Sequence, residues 1–174
     1  WRKGLFIDNS QGDSEKLDYL TYKAKANFRY VLSSAHNIEA NIIYMQDAPS
    51  FQSAFVSPRT RNDVTPGISA EKVFGADASY NIRIGDFKAR ISGYYTAFND
   101  QSKVISYYDD VAATFSNFAM SGINKTHYGV ELAASIPIYE GLALKGALSW
   151  GEYKYSNNPH YVQIQDNSAK VINE

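Results

Sequence analysis

From Leu20 to Leu32 the chain alternates strictly. Leu20, Tyr22, Ala24, Ala26, Phe28, Tyr30 and Leu32 hold the even positions, and Thr21, Lys23, Lys25, Asn27, Arg29 and Val31 hold the odd ones. Successive side chains of a strand point to opposite faces, so this spacing predicts one two-faced strand. It is longer than the usual strand of about 5–6 residues. It suits a strand that crosses a bilayer, which needs roughly 9–11 residues, with some overhang. The same period recurs along the chain. Ile38, Ala40, Ile42 and Tyr44 oppose Asn37, Glu39 and Asn41. Phe74, Ala76, Ala78, Tyr80, Ile82 and Ile84 oppose Asp77, Ser79, Asn81 and Arg83. Phe87, Ala89, Ile91, Gly93 and Tyr95 oppose Lys88, Arg90, Ser92 and Thr96. Tyr128, Val130, Leu132, Ala134, Ile136 and Ile138 oppose His127, Glu131 and Ser135. Leu142, Leu144, Gly146, Leu148 and Trp150 oppose Lys145 and Ser149. Six strands are predicted, and no stretch has a convincing helical period.

The connections predicted between these strands alternate in length. Short turns fall near 33–36, 85–86 and 139–141, the middle one being the Gly85-Asp86 pair that tight hairpins favour. Long polar stretches fall near 1–16, 47–71, 99–126 and 154–174, all read as loops. One short rim and one long rim is the arrangement of an outer-membrane barrel.

Aromatic positions extend the pattern. Tyr44, Tyr95 and Trp150 each lie eight residues beyond a short turn, and Tyr128 lies ten before Ile138. At about 3.3 Å per residue and a tilt of about 40°, that separation approaches the lipid-facing band of about 25 Å. Tyr30, Tyr80, Phe87 and Tyr139 lie near the turns. Two aromatic belts are expected, with Tyr30, Tyr44, Tyr80, Phe87, Tyr95, Tyr128 and Trp150 facing lipid.

Composition excludes more than it assigns. The chain has 174 residues and no Cys, so disulfides, thiol nucleophiles and cysteine zinc sites are out. Lys plus Arg is 17 against 18 Asp plus Glu. That balance gives no reason to expect nucleic acid as a partner. No apolar run approaches the roughly 18 residues of a membrane helix. The chain is slightly hydrophilic on average, as a soluble protein or a barrel with alternating strands would be. It opens Trp1-Arg2-Lys3-Gly4 with no initiator Met and no signal-peptide pattern, and ends Val171-Ile172-Asn173-Glu174. It is read as an internal piece of a longer protein.

Catalytic chemistry finds little support. Gly146-Ala147-Leu148-Ser149-Trp150-Gly151 has two residues between Gly and Ser and sits inside a strand, unlike a nucleophile elbow. His36, His127 and His160 are scattered, so no converging metal ligands and no cofactor are expected. Asp109-Asp110 reads as a solvated loop pair, and Asn124-Lys125-Thr126 as an incidental glycosylation pattern. The chain is therefore expected not to be an enzyme. The best candidate ligand-binding residues are Phe51, Phe55, Arg59 and Arg61 in one long stretch. Tyr107 and Tyr108 stand in another, and His160 and Tyr161 in the last. Aromatic rings stack on sugars and ring systems, and Arg grips carboxylates through two hydrogen bonds. Lys23, Lys25, Arg29, Glu39, Arg83, Lys88, Arg90, Glu131 and Lys145 make the polar face, which fits a water-filled or plugged interior.

Several stretches also resemble TonB-dependent outer-membrane receptors. They are Ala48-Pro49-Ser50-Phe51 running through Phe55-Val56-Ser57-Pro58-Arg59-Thr60-Arg61-Asn62-Asp63, and Gly93-Tyr94-Tyr95-Thr96 with Phe98-Asn99-Asp100-Gln101. Met120-Ser121-Gly122-Ile123-Asn124 leading to His127-Tyr128-Gly129-Val130-Glu131-Leu132 is similar, as is Gly146 through Tyr153. The likeness covers most of the chain, in the order of the later half of such a barrel. It implies an all-β, antiparallel transmembrane segment of a barrel of about 22 strands, with a plug domain inside. It also implies the bacterial outer membrane, lipid contact, energy coupling through TonB, and in some relatives a surface lipoprotein lid. The cargo implied is an iron chelate, cobalamin, a glycan or a peptide. A passive porin-like or small barrel shares every local signal, and a soluble β-sandwich binding module shares the alternation.

Overall fold

In the computed structural model, residues 1–111, 113–166, 168 and 171–173 are described. The fold is all-β and antiparallel. Its central sheet contains β5 (Tyr22–Val31), β6 (His36–Asp47), β7 (Glu71–Ile84), β8 (Phe87–Asp109), β9 (Thr114–Tyr139) and β10 (Leu142–Tyr155), each paired with the next. Five of the six stretches with strict alternation lie within these elements; the sixth, Leu20–Leu32, fills β5 but overruns it, with Leu20 in the separate strand before it and Thr21 and Leu32 outside any strand. β11 (His160–Gln165) follows β10 along the same edge of β9, and β12 (Val171–Asn173) pairs with β11. The three short connections, after β5, β7 and β9, all lie at one end of the sheet, because consecutive strands run antiparallel.

Register carries the alternation from strand to strand. Tyr44 pairs with Phe74, Ala76 with Tyr95, Tyr95 with Tyr128 and Val130 with Trp150. In the same way Ile91 pairs with Leu132, and Leu132 with Leu148. The apolar parity of all six strands therefore falls on one face and the polar parity on the other. A slip of one residue in any pair would mix the two faces.

The long stretches differ from the loops expected of them. At 99–126 the chain is mostly strand. β7 reaches β8 only as far as the Lys72–Asn99 pair, and the β8–β9 hairpin continues beyond it to the Asp109–Thr114 pair. The alternation vanishes there for a physical reason. The register is irregular between Phe98 and Lys103, where Asp100 has φ 58° and Gly122 has φ 66°. Beyond that point the parity reverses. Lys103, Ile105 and Met120 line one cavity with Lys125 and Tyr155, while Val104, Ala119 and Val162 pack on Val56. Bulges of this kind break the period that a sequence reading follows. The expected loop at 154–174 is likewise interrupted by β11 and β12.

The N-terminal stretch is also structured. β1 (Arg2–Leu5) pairs with β4 (Leu17–Leu20), and β2 (Asp8–Asn9) pairs with β3 (Gly12–Asp13). The 48–70 connection holds one four-residue helix, α1 (Phe51–Ala54), capped by the Ser50 side chain, which accepts from the Ser53 amide at 3.1 Å. Its neighbours form the core. Phe55 and Ala54 pack with Ile7, Leu5, Leu17, Val64 and Ile68. A partly buried polar chain ties this connection to the hairpin. Ser57 donates to Asp166, Asn117 donates to Asp166 at 2.7 Å, and Ser106 donates to Asn117. Asn117 is 1% exposed, so its amide depends on that carboxylate. Asp166→Ala is expected to cost about 1–3 kcal/mol in chemical denaturation and to speed proteolysis within 48–70. An unchanged midpoint would show that water replaces the carboxylate.

Candidate functional site

The two faces of the sheet are the functional surfaces. On the apolar face, large side chains stand open: Leu148 is 71% exposed, Trp150 64% and Ile138 61%. Among the described residues the buried clusters lie in the N-terminal stretch, the 48–70 connection and the hairpin extension, and no second layer covers this face. Its far side carries an aromatic row. Ring centroids are 5.9 Å apart for Tyr22 and Tyr44, and 6.4 Å for both Phe74–Tyr95 and Tyr128–Trp150. The row touches all six strands. Lys154 Nζ lies 5.1 Å above the Tyr128 ring and donates to its hydroxyl at 3.2 Å. Toward the turns stand Tyr30, Phe87 and Tyr139, with Tyr80 hydrogen-bonded to His36 Nδ1 at 2.8 Å. From Phe74 to Ile84 the strand rises through ten residue steps, roughly 25 Å at a tilt of about 40°.

The polar face is laced together. Asn27 donates to Asn41, Asn41 to Asp77 at 2.8 Å, and Asn81 to Asn37 at 3.0 Å. Arg29 meets Glu39 at 3.5 Å. Farther from the turns an aromatic group occupies the same face. The Tyr94 and Tyr153 hydroxyls are 2.8 Å apart, and His127 lies 4.9 Å from both Phe98 and Tyr153. Tyr94 reaches over Gly129 and Gly151, where a Cβ would come within 2.7 and 2.6 Å of its hydroxyl. Sequence reading missed this group. In the sequence His127 is one of three scattered histidines, and Tyr94, Phe98 and Tyr153 lie on a parity whose other members are charged or small. The signal that could have found them is the Gly129–Gly151 pair, since facing glycines leave room for a ring.

Comparison of the chain with protein-family models, curated proteins and solved structures found no match.

The ligand candidates taken from the sequence are dispersed. Phe55 is corrected outright: it is fully buried and holds the core under the 48–70 connection, so it offers no surface. Phe51 packs on it at 5.2 Å. Arg59 is exposed in a turn, and Arg61 is bonded to Asp63. Tyr107 and Tyr108 stand on β8 instead of a loop, as neighbours on opposite faces. His160 and Tyr161 begin β11, where Tyr161 stacks on Phe118 at 4.8 Å. Among the described residues no three His, Asp or Glu side chains converge as a metal site would require.

One carboxylate beyond the aromatic row is perturbed. Burial lifts the Glu71 carboxyl above its ordinary range, against hydrogen bonds from Ser102 that lower it, and Asp47 adds to the rise. Asp47 is its direct cross-strand partner. A raised carboxylate favours the folded state at low pH and loses that contribution as pH rises through the folded value. Glu71→Gln is therefore expected to stabilise the protein at neutral pH and to leave it unchanged at pH below the ordinary carboxylate range. Denaturation midpoints at the two pH values check this.

Proposed function

We propose that this chain is part of the wall of a bacterial outer-membrane β-barrel, of the energy-coupled nutrient-importer type, and that it carries no catalytic site. The observation that supports this most is the apolar face: continuous across six strands, open to its surroundings, and edged by an aromatic row. In water such a surface would be a severe aggregation hazard. Against acyl chains it is matched. The polar face then lines the lumen and meets the plug. Among the described residues β5 and β10 each present an unpaired stretch of edge, where further strands of a larger barrel pair. The plug, TonB coupling, a lipoprotein partner and the cargo classes belong to this proposal through the resemblance of the loop and strand motifs. A passive barrel would present the same wall.

Fractionation tests it. The intact protein that carries this chain is expected in the outer membrane, extracted only by detergent. Recovery as a monomer in the periplasm without detergent overturns the reading and favours a β-sandwich whose second layer covers the apolar face. A growth defect on a scarce nutrient in a deletion strain, reproduced by loss of TonB and not deepened when both are lost, separates an importer from a porin.

A further inference from the structure

The cations of the polar face are unevenly placed. Near the short turns a cavity of about 590 Å³ is lined by Arg29, Arg83, Lys88, Arg90 and Lys145, with Glu39 as the one acid. Glu39 already faces Arg29. Among the described residues the other four cations make no ion pair. Arg83 and Lys88 are direct cross-strand partners. Lys88 pairs with Ser135, and Ser135 with Lys145. A row of positive charge therefore crosses β7, β8, β9 and β10, interrupted only by a serine. Like charges directly opposite one another destabilise a sheet. Several of them around one cavity set up a positive potential that an anion would relieve.

The shape of the row selects the anion. Neighbouring strands lie about 4.8 Å apart, so the row spans roughly 14 Å. A single phosphate or carboxylate reaches only part of it. An extended peptide turns alternate side chains to one face at about 6.6 Å intervals and can set carboxylates along the whole row. We propose that this cavity docks an acidic polypeptide segment, rich in Asp and Glu, lying across the strands of the polar face near the short turns. The inference needs only the polar face, and it stands whether or not the apolar face meets lipid.

The test uses a fluorescein-labelled oligoglutamate peptide and the protein in nonionic detergent, read by fluorescence anisotropy. Saturable binding that weakens with salt is expected. The combined substitution Arg83→Gln, Lys88→Gln and Lys145→Gln is expected to weaken it about tenfold or more. Lys103→Gln with Lys125→Gln, elsewhere on the polar face, leaves it unchanged. The triple variant removes like-charge contacts, so its circular dichroism is expected to match the parent. Lys88→Gln alone changes one exposed side chain and is expected to weaken binding about threefold, which keeps the test valid should the triple variant misfold. The proposal is overturned by a lack of saturable binding, or by equal losses in the two sets of variants. It is also overturned if inorganic pyrophosphate binds and the peptide does not, which would assign the cavity to a small anion.

Discussion

Gly129→Ala is expected to destabilise the sheet by about 1–3 kcal/mol, and more if the strands cannot part. A Cβ at Gly129 would lie 2.4 Å from the Trp150 carbonyl oxygen and 2.9 Å from the Gly151 Cα. Both are backbone atoms of the paired strand, and neither can rotate away. Relief requires β9 and β10 to separate where Val130 pairs with Trp150 and Gly129 with Gly151. Two comparisons isolate the cause. Gly146→Ala, on the same pair of strands, meets nothing within 4 Å and is expected to be silent. Gly151→Ala meets the Tyr94 hydroxyl at 2.6 Å, the far end of a side chain, and is expected to be partly rescued by Tyr94→Phe. Gly129→Ala meets the same hydroxyl at 2.7 Å, but Tyr94→Phe leaves its two backbone contacts in place and is expected to recover less of the loss. Urea midpoints in detergent measure the single variants and both combinations with Tyr94→Phe. Equal midpoints for Gly129→Ala and Gly146→Ala would mean that the strands accommodate the methyl by bending.

How far this arrangement was legible follows from where the period of two survives. It is clean from Tyr22 to Val31 and from Phe74 to Ile84, and there the strands and the parity of their faces follow from the sequence. It fails at Asp100 and Gly122, where positive φ values re-aim both strands of the hairpin. Residues beyond that point are touched on both faces, so Ser116, Asn117 and Ala119 are all buried although only one of them is apolar. Such a segment reads as a polar loop, which is why the sequence pattern assigns Tyr107, Tyr108, His160 and Tyr161 to loops. Phe55 misled for a related reason. A phenylalanine in a polar stretch looks like a ligand contact, but long connections need their own core, and Phe55 supplies it. The basic cavity was half legible. Each of its cations was identified as polar-face, but their convergence depends on the register of β7 to β10, which the sequence does not print.

Leu132→Lys is expected to cost about 2–4 kcal/mol when the protein folds into lipid vesicles, because the position lies near the middle of the apolar band. Leu132 is flanked by Ile91 on β8 and Leu148 on β10, and all three are exposed on the apolar face. Glu131→Lys, on the adjacent residue, changes charge by more and is expected to cost much less, since its side chain faces the other way, opposite Ser92 and Ser149. The contrast between neighbours separates the competing accounts of the wall. Against lipid, the lysine at 132 must desolvate or drag its chain to the interface, and the penalty falls toward the aromatic rows. Trp150→Lys is then milder than Leu132→Lys. In a sandwich the apolar face meets protein, so the depth dependence is lost and both lysines disrupt the second layer alike. For a face bathed in water, all of these substitutions are neutral. Folding yields across vesicles of increasing lipid chain length sharpen the distinction further. A lipid-facing band of about 25 Å is matched best by one bilayer thickness, whereas a protein-covered core is indifferent to it.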